Sequence, residues 1–174
     1  NIQKNIKLIK NKKNIYYSGS VEKIINISRF KYICILDSDN QYKPADIMRL
    51  YKHSIKNNID LLFGKRRNRK DNFFRVFVSA IFNNISKILI GNFIDDLNSG
   101  IRLIKKDATI NLIKEINASN PELFCIYKKK NKKISEIDVT HYHRISGESV
   151  NSFKNIFLSI IKYLKHLIKL KKKY

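Results

Sequence analysis

The chain has 174 residues, of which 43% are hydrophobic, and 36 Lys and Arg against 14 Asp and Glu give it a net charge of +22. That length is enough for one domain with a real core and too short for two, and two cysteines exclude a disulfide-built scaffold. So basic a chain suits an anionic partner such as nucleic acid or a membrane surface, although the Lys, Asn and Ile bias typical of an AT-rich genome explains much of the charge.

Apolar runs alternate with helical patterns along the chain, which predicts an α/β fold with a doubly wound, mostly parallel sheet flanked by helices. In chain order, the predicted elements are a strand at 14–17, a helix at 21–28, a strand at 32–36, a helix at 44–57, a strand at 59–63, helices at 72–90, 107–117 and 121–130, a strand at 134–140 and a C-terminal helix at 152–172. We expect one domain over 1–150 and a basic amphipathic helix over 151–174.

The N-terminus, the apolar runs and the C-terminal helix each lead to an expectation. The chain opens with Asn1 rather than Met and shows no signal peptide, so we expect the natural N-terminus to be missing. No uninterrupted apolar run of about 18 residues occurs, so no transmembrane helix is predicted. The C-terminal helix has an apolar face and many lysines, which suits either an anionic membrane interface or a packing helix with a Lys-rich outside.

The predicted strand at 32–36 ends in two aspartates, Asp37 and Asp39. Side chains at i and i+2 of an extended segment point the same way, so both carboxylates can converge on one divalent cation, and Gln41 continues the spacing. Ligands of open α/β sheets bind outside the carboxyl ends of the strands, where these residues lie. Turn formation or helix capping is the alternative role for such aspartates.

Three later segments carry further polar side chains at predicted strand ends. The loop after the strand at 59–63 contains Lys65, Arg66, Arg67, Arg69 and Lys70, which suit phosphate binding or simple solvation. Residues 95–102 combine two aspartates with a glycine and an arginine, where Asp96 either acts on a ligand or orders the loop by pairing with Arg102. His141 and His143 could ligate a metal, or they could be packed or solvated side chains.

The helix at 72–90 has an apolar face that we expect to pack, and a polar stripe on another side that we expect to be wet. The apolar positions are Phe73, Phe77, Ala80, Ile81, Ile85 and Ile88, and the polar ones are Arg75, Ser79 and Asn83.

Together these motifs resemble family 2 glycosyltransferases of the GT-A type, and within them the polyprenyl-phosphate sugar transferases such as the dolichol-phosphate mannosyltransferases. Four motifs match in order over about residues 18–150. They are Asp37, Asp39, Gln41, Pro44 and Asp46; then Gly64 and Arg66; then Asp96, Gly100 and Arg102; and finally Arg144, Gly147 and Ser149. The departure is at the start, where the family's first strand and its base-binding loop have no counterpart.

The resemblance implies an inverting, metal-dependent transfer of a sugar from a nucleoside-diphosphate sugar to a polyprenyl phosphate. In the family the first aspartates hold Mg²⁺ or Mn²⁺, arginines at the positions of Arg75 and Arg144 bind the acceptor phosphate, and an acidic residue near Asp96 is the general base where the acceptor is a hydroxyl. The implied catalytic residues are Asp39, Asp96 and Arg144, the ligand-binding residues Arg66, Arg75, Arg102 and Ser149, and the metal ligands Asp37, Asp39 and Gln41.

The implied setting is the cytoplasmic face of an anionic membrane, with the protein bound peripherally and no nucleic-acid partner. Three alternatives stay open: a saccharide or other hydroxyl acceptor, a basic nucleic-acid-binding module, and an inactive membrane-associated remnant. Affinity for DNA or RNA that falls steeply with salt would mark the second, and lipid binding without donor consumption would mark the third.

Overall fold

A computed structural model describes residues 6–110, 112, 119–143 and 153–174, with the backbone alone for 153–159. Its helices and strands follow the predicted α/β alternation. They are α1 (Tyr16–Ile27), β1 (Tyr32–Leu36), α2 (Pro44–Asn57), β2 (Leu61–Arg67), α3 (Phe73–Ile90), β3 (Ile101–Lys105), α4 (Lys106–Thr109), α5 (Asn120–Lys129), β4 (Ile134–Thr140) and α6 (Phe153–Lys173).

The four strands form one mixed sheet in the order β1-β3-β2-β4. Strands β1, β2 and β4 run in one direction, while β3 runs antiparallel between β1 and β2. The α/β prediction is therefore confirmed, and the sheet is mixed because of one strand that the sequence pattern did not reveal. Strand β3 is short and has Arg102 at its second position, so its apolar run is broken.

Helices cover both faces of the sheet. Helix α2 packs on one face over a core that includes Leu50, Leu62 and Leu103. Helices α1, α5 and α6 pack on the other face, together with one side of α3, over a core that includes Phe63 and Phe124. Alternate residues of each strand serve the two cores, as the twofold repeat of an extended chain requires.

Local signals explain where the helices begin and end. Pro44 occupies the first turn of α2, where its missing N–H costs nothing, and Asn58 ends that helix in the left-handed conformation. The Asn72 side chain accepts a hydrogen bond from the Phe74 N–H at the start of α3, and Gly91 closes that helix with a φ of 61°.

One predicted element is wrong, and another lies largely outside the described residues. The strand at 14–17 does not form, because Tyr16 begins α1 and its N–H is bound by the Asn14 side chain. The helix at 107–117 is described only as the short α4, and residues 111 and 113–118 lie outside the described residues.

The face of helix α3 that packs on the protein is not the one that was predicted. Phe73, Phe77 and Ile88 of the predicted packing face are exposed, whereas Asn83 of the predicted wet stripe is buried. By length and composition α3 could cross a membrane, and it is the one such helix among the described residues. The prediction of no transmembrane segment missed it because Arg75, Lys87 and several Ser and Asn residues interrupt its apolar run.

The described side chains of α6 support packing rather than an interfacial role for its C-terminal half. Leu167 and Leu170 are fully buried in the main core, and Lys162, Lys165 and Lys169 are exposed. Helix α6 contacts α3 and α5.

Candidate active site

Four described segments with polar motif residues lie together at one end of the sheet. Strands β1, β2 and β4 end there and β3 starts there, because β3 runs the opposite way. The four segments that meet are 37–43, 65–72, 94–100 and 141–143. This is the crevice outside the carboxyl ends of the strands, where α/β proteins bind ligands.

The first aspartate of the crevice lies directly over a glycine. The Asp37 N–H donates to the Gly100 carbonyl oxygen at 3.2 Å, which continues the pairing of β1 with β3. A Cβ atom at Gly100 would lie 2.9 Å from Asp37 Cγ, so only glycine leaves room for this carboxylate. Asp37 also lines a cavity of about 340 Å³ with Tyr17, Ser99 and Asn120.

Asp39 and Gln41 connect the loop after β1 to the segment after β4. The Asp39 carboxylate accepts a hydrogen bond from the Gln41 N–H at 3.3 Å. The Gln41 side-chain amide donates to the Tyr142 carbonyl oxygen at 3.2 Å, and the Tyr142 N–H donates back to the Gln41 carbonyl at 3.0 Å. Gln41 thus ties two loops of the crevice together.

These residues fit a divalent cation only if the substrate completes its coordination. The described part of the chain contains no group of three or more His, Cys, Asp or Glu side chains that could hold a metal ion. Mg²⁺ keeps several waters and is commonly held by one or two carboxylates plus substrate phosphates, and the two carboxylates of Asp37 and Asp39 match that number of protein ligands. Gly100 leaves room for the Asp37 carboxylate at this end of the sheet, beside the cavity that Asp37 also lines.

The strongest ion pair of the crevice joins Arg66 to Asp96. Arg66 Nε and Nη2 donate to the two carboxylate oxygens of Asp96 at 2.7 and 2.8 Å, and the Arg66 backbone N–H adds a third hydrogen bond at 3.1 Å. Both side chains are about nine-tenths buried. Burial alone would raise the pKa of Asp96, but the hydrogen bonds and charge of Arg66 lower it below the usual aspartate value.

Asp71 was not among the predicted site residues, and its carboxylate lies close to three arginines. Its buried carboxylate lies 2.7 Å from Arg69 Nη2, 3.5 Å from Arg75 Nη1 and 3.9 Å from Arg66 Nη1. Burial opposes ionisation, yet the hydrogen bond and charge of Arg69 bring the pKa of Asp71 below its ordinary value. The arginines are therefore held by carboxylates rather than being loosely solvated. Only the position of Asp71 just before a helix start hinted at a structural role.

His141 and Tyr42 close the crevice from the side of β4. His141 is 1% exposed, its Nδ1 accepts from the Lys70 N–H at 3.3 Å, and its Nε2 lies 4.0 Å from Asp71. Burial lowers the pKa of His141, and Asp71 offsets part of that effect. The Tyr42 ring packs edge-on against His141, and its hydroxyl accepts from the Gly100 N–H at 3.1 Å. His141 is thus packed, as the alternative to metal ligation expected.

Asp95 is an exposed counterpart of Asp96. It forms ion pairs with Lys65 and Lys87, and the hydrogen bonds from these lysines lower its pKa to about 2. Its N–H donates to both carboxylate oxygens of Glu136 at 3.1 Å, which anchors the loop to β4.

Arg102 does not pair with Asp96, which corrects one of the two expected roles of that aspartate. Arg102 is fully buried on the sheet face that also carries Ile104, and its Nη1 donates to the Tyr17 hydroxyl at 3.0 Å. Its Nε and Nη2 have no hydrogen-bond partner in the described structure. Asp96 still orders its loop, but it does so through Arg66 on β2.

The predicted catalytic residue Arg144 and the predicted ligand-binding residue Ser149 lie outside the described residues, as does Gly147. Of the remaining candidates, the structure brings Asp39 and Gln41 together with the segment after β4, Arg66 together with Asp96, and Arg75 next to Asp71. A second cavity of about 220 Å³ lies between this arginine cluster and α3. Its lining includes Arg66, Arg69, Asp96, Ser79, Asn83 and Lys87.

The sequence of residues 1–112 matches the model of glycosyl transferase family 2. The chain belongs to this family. Its solved relatives in the fold include glucosyl-3-phosphoglycerate synthase from Mycobacterium tuberculosis, whose structure contains Mn²⁺, uridine diphosphate and phosphoglyceric acid. That structure superposes with a TM-score of 0.64 at 12% identity and covers 87% of this chain and 53% of its own. The shared fold confirms the GT-A type expected of this family.

Curated relatives within the family include sugar transferases that act on polyprenyl phosphates. A dodecaprenyl-phosphate galacturonate synthase of Rhizobium johnstonii is 24% identical over 91% of this chain and 48% of its own length. An undecaprenyl-phosphate 4-deoxy-4-formamido-L-arabinose transferase of Photorhabdus laumondii is 27% identical over 71% of this chain and 38% of its own. An uncharacterised protein of Methanocaldococcus jannaschii is 30% identical over 59% of this chain and 49% of its own. The chain spans about half the length of the curated relatives it matches, or less.

Proposed function

We propose that this protein transfers a sugar, with inversion, from a nucleoside-diphosphate sugar to a polyprenyl phosphate at the cytoplasmic face of a membrane. The observation that carries the proposal is the bidentate pair of Arg66 with Asp96 in a crevice rich in arginine. The polyprenyl-phosphate transferases among the curated relatives support the same acceptor class.

The pairing and the lowered pKa of Asp96 favour a phosphate acceptor over a hydroxyl acceptor. A hydroxyl must lose its proton as it attacks, and a good general base has a pKa near the working pH. Asp96 instead has a lowered pKa and spends both carboxylate oxygens on Arg66. A phosphate is already anionic and needs no base, so Asp96 acts by holding Arg66 in place.

The arginines supply the complementary charge for phosphate oxygens. Arg66, Arg69 and Arg75 surround Asp71, so their guanidinium groups are pre-positioned at the start of α3. Arginine presents paired donors that match phosphate geometry, which lysine does not. We assign the acceptor phosphate to this cluster, with Arg144 and Ser149 as further contacts. Arg102 is fully buried, so we assign it a supporting role on the donor side, where it donates to the hydroxyl of Tyr17 in the cavity that Asp37 lines.

The donor diphosphate is assigned to the Asp37 and Asp39 side of the crevice. These carboxylates would hold Mg²⁺ or Mn²⁺ there, with Gln41 beside them, and the cation would stabilise the leaving diphosphate by neutralising its developing charge. The chain's own contribution is to orient the two carboxylates, through the close contact at Gly100 and the hydrogen bond from the Gln41 N–H.

The decisive experiment measures release of nucleoside diphosphate from a panel of nucleotide sugars, with and without a short polyprenyl phosphate. Release that needs both substrates and stops with chelator would support the proposal and identify the sugar. Release with a saccharide or glycerol acceptor in place of the lipid phosphate would overturn the acceptor assignment. Absence of release from every pair by the folded protein would overturn the transfer itself.

A matched pair of variants tests the metal assignment. Asp39→Asn removes the charge that would hold the cation and should reduce turnover by at least about a hundredfold while the far-ultraviolet circular dichroism stays unchanged. Asp107→Asn removes an exposed carboxylate at the opposite end of the sheet and should leave turnover intact. Equal turnover of the two variants would contradict the role of Asp39.

A further inference from the structure

Helix α3 presents an apolar stripe to the outside of the molecule. Phe73 is 84% exposed, Phe77 53% and Ile88 78%, and the three lie on one face because they are separated by four and eleven positions. Ala80 and Asn84 are exposed between this stripe and the cavity that contains Arg66 and Asp96, whose lining includes them both. An exposed apolar surface of this extent marks an interaction site rather than an ordinary solvated face.

The opposite side of α3 carries the polar residues. Asn83 and Ser86 are buried, and Ser79 and Asn83 line the cavity next to Arg66 and Asp96. The helix therefore faces the arginine crevice with its polar side and turns its aromatic side away from the protein. An α-helix of 18 residues is about 27 Å long, so the exposed stripe runs across a large part of a small domain.

We propose that α3 lies in the plane of an anionic membrane, with Phe73, Phe77 and Ile88 inserted among the acyl chains. The charge on its borders suits lipid headgroups: Lys70 is exposed just before the helix, and Lys87 lies beside Ile88 at the other end of the stripe, within a chain of net charge +22. A protein partner would have to complement the same cations, and a second copy of this basic chain would repel them.

The consequence for the site rests on the proposed function. Helix α3 forms one wall of the cavity that also contains Arg66, Arg69 and Asp96. Insertion of its outer side would bring the arginine cluster to the depth of the headgroups, where the phosphate of a polyprenyl acceptor lies. The acceptor would then reach the crevice without leaving the membrane.

Tryptophan fluorescence tests the insertion without reference to catalysis, because the chain contains no tryptophan. Phe73→Trp should show a blue-shifted emission with phosphatidylglycerol vesicles and should be quenched by brominated acyl chains. Phe30→Trp is the matched control, since Phe30 is 82% exposed and precedes β1 at the far end of the sheet. Ile168→Trp reports on the exposed side of α6. A response at position 168 or 30 but not at 73, or none at any position, would overturn the proposal.

A second pair of variants separates this inference from the proposed function. Phe73→Ser with Phe77→Ser should lower the vesicle partition coefficient by at least about tenfold, whereas Phe30→Ser should not change it. Turnover of a short, soluble polyprenyl phosphate should survive in the double variant, and turnover of an acceptor embedded in vesicles should fall with binding. Loss of vesicle binding is measured without donor or acceptor, so it holds or fails independently of sugar transfer. Unchanged vesicle binding of the double variant would contradict the insertion.

Discussion

Arg66 is the residue on which most of the crevice depends. It binds Asp96 through three hydrogen bonds and approaches Asp71, so it joins the loop before β3 to the start of α3. Buried ion pairs of this kind contribute little net stability, but removing one partner leaves a buried charge without compensation. A substitution that keeps the charge at Arg66 therefore tests the geometry of the pair alone.

We predict that Arg66→Lys keeps the charge and loses the function. Lysine cannot form the paired hydrogen bonds to Asp96, so the free energy of unfolding should fall by about 1–3 kcal/mol and turnover by about a hundredfold. Urea unfolding and diphosphate release measure the two effects. Arg67→Lys is the neighbouring control, because Arg67 pairs with Asp138 at 2.9 Å on a half-exposed surface. If both lysine variants behave alike, the bidentate pair has no special role.

At the scale of single elements, Gly64 within β2 and Gly100 just before β3 have separable roles. A Cβ atom at Gly64 would lie 2.5 Å from Ile101 Cγ2 and 3.0 Å from Val139 Cγ1, inside the core. A Cβ atom at Gly100 would meet the Asp37 carboxylate instead. One glycine therefore serves the packing of the sheet and the other serves the candidate metal site.

Alanine at each position should separate these two roles. Gly64→Ala overpacks the core and should lower the free energy of unfolding by about 1–3 kcal/mol. Gly100→Ala should displace Asp37, so we expect a larger loss of metal-dependent turnover than of stability. Chemical denaturation and the metal dependence of diphosphate release distinguish the two. The assignment fails if Gly100→Ala retains its full response to the metal.

The spacing of apolar residues predicted most helices and strands. It failed for β3 and for the packed face of α3, where polar residues are buried. The strand at 32–36 and the helix at 44–57 were predicted at the observed residues, because apolar spacing there reports burial directly. Strand β3 was not predicted because Arg102 interrupts its run of apolar residues. The orientation of α3 was inverted because an apolar face is normally the packed one, whereas here Ser79 and Asn83 face a polar crevice.

The site was predictable in part for a similar reason. Asp37, Asp39, Arg66 and Asp96 follow or precede strands, and strand ends converge at one edge of a sheet. Which cation meets which carboxylate depends on strand order, and the insertion of β3 between β1 and β2 could not be read from spacing. Asp71 and His141 reach each other only through the parallel pairing of β2 with β4.

At the scale of the whole molecule, the buried His141 and the half-buried His166 should make the free energy of unfolding depend on pH. Burial is the main cause that lowers the pKa values of His141 and His166 below 6.5, so the unfolded chain takes up protons first as the pH falls. The two neutral histidines contribute fully to the free energy of unfolding above about pH 6.5. This contribution is lost progressively as the pH falls through their pKa values in the folded state.

We therefore predict that the free energy of unfolding falls between about pH 7 and pH 5. His141→Asn with His166→Gln replaces the ring nitrogens that meet the Lys70 N–H and the Ser119 hydroxyl, and it should flatten this dependence. Urea unfolding at several pH values measures the slope. A slope that persists unchanged in the double variant would assign the dependence to other groups.

The position of β3 also constrains the order in which the chain folds. Among the described strands, β1 pairs with β3 alone, and β2 meets β1 only through β3. During synthesis, the pairing of β1 with β3 therefore waits until Ile101–Lys105 has left the ribosome. Pairing between segments so far apart in the chain is slow and leaves apolar strands open to aggregation meanwhile. The chain's large positive charge would keep such half-finished molecules apart.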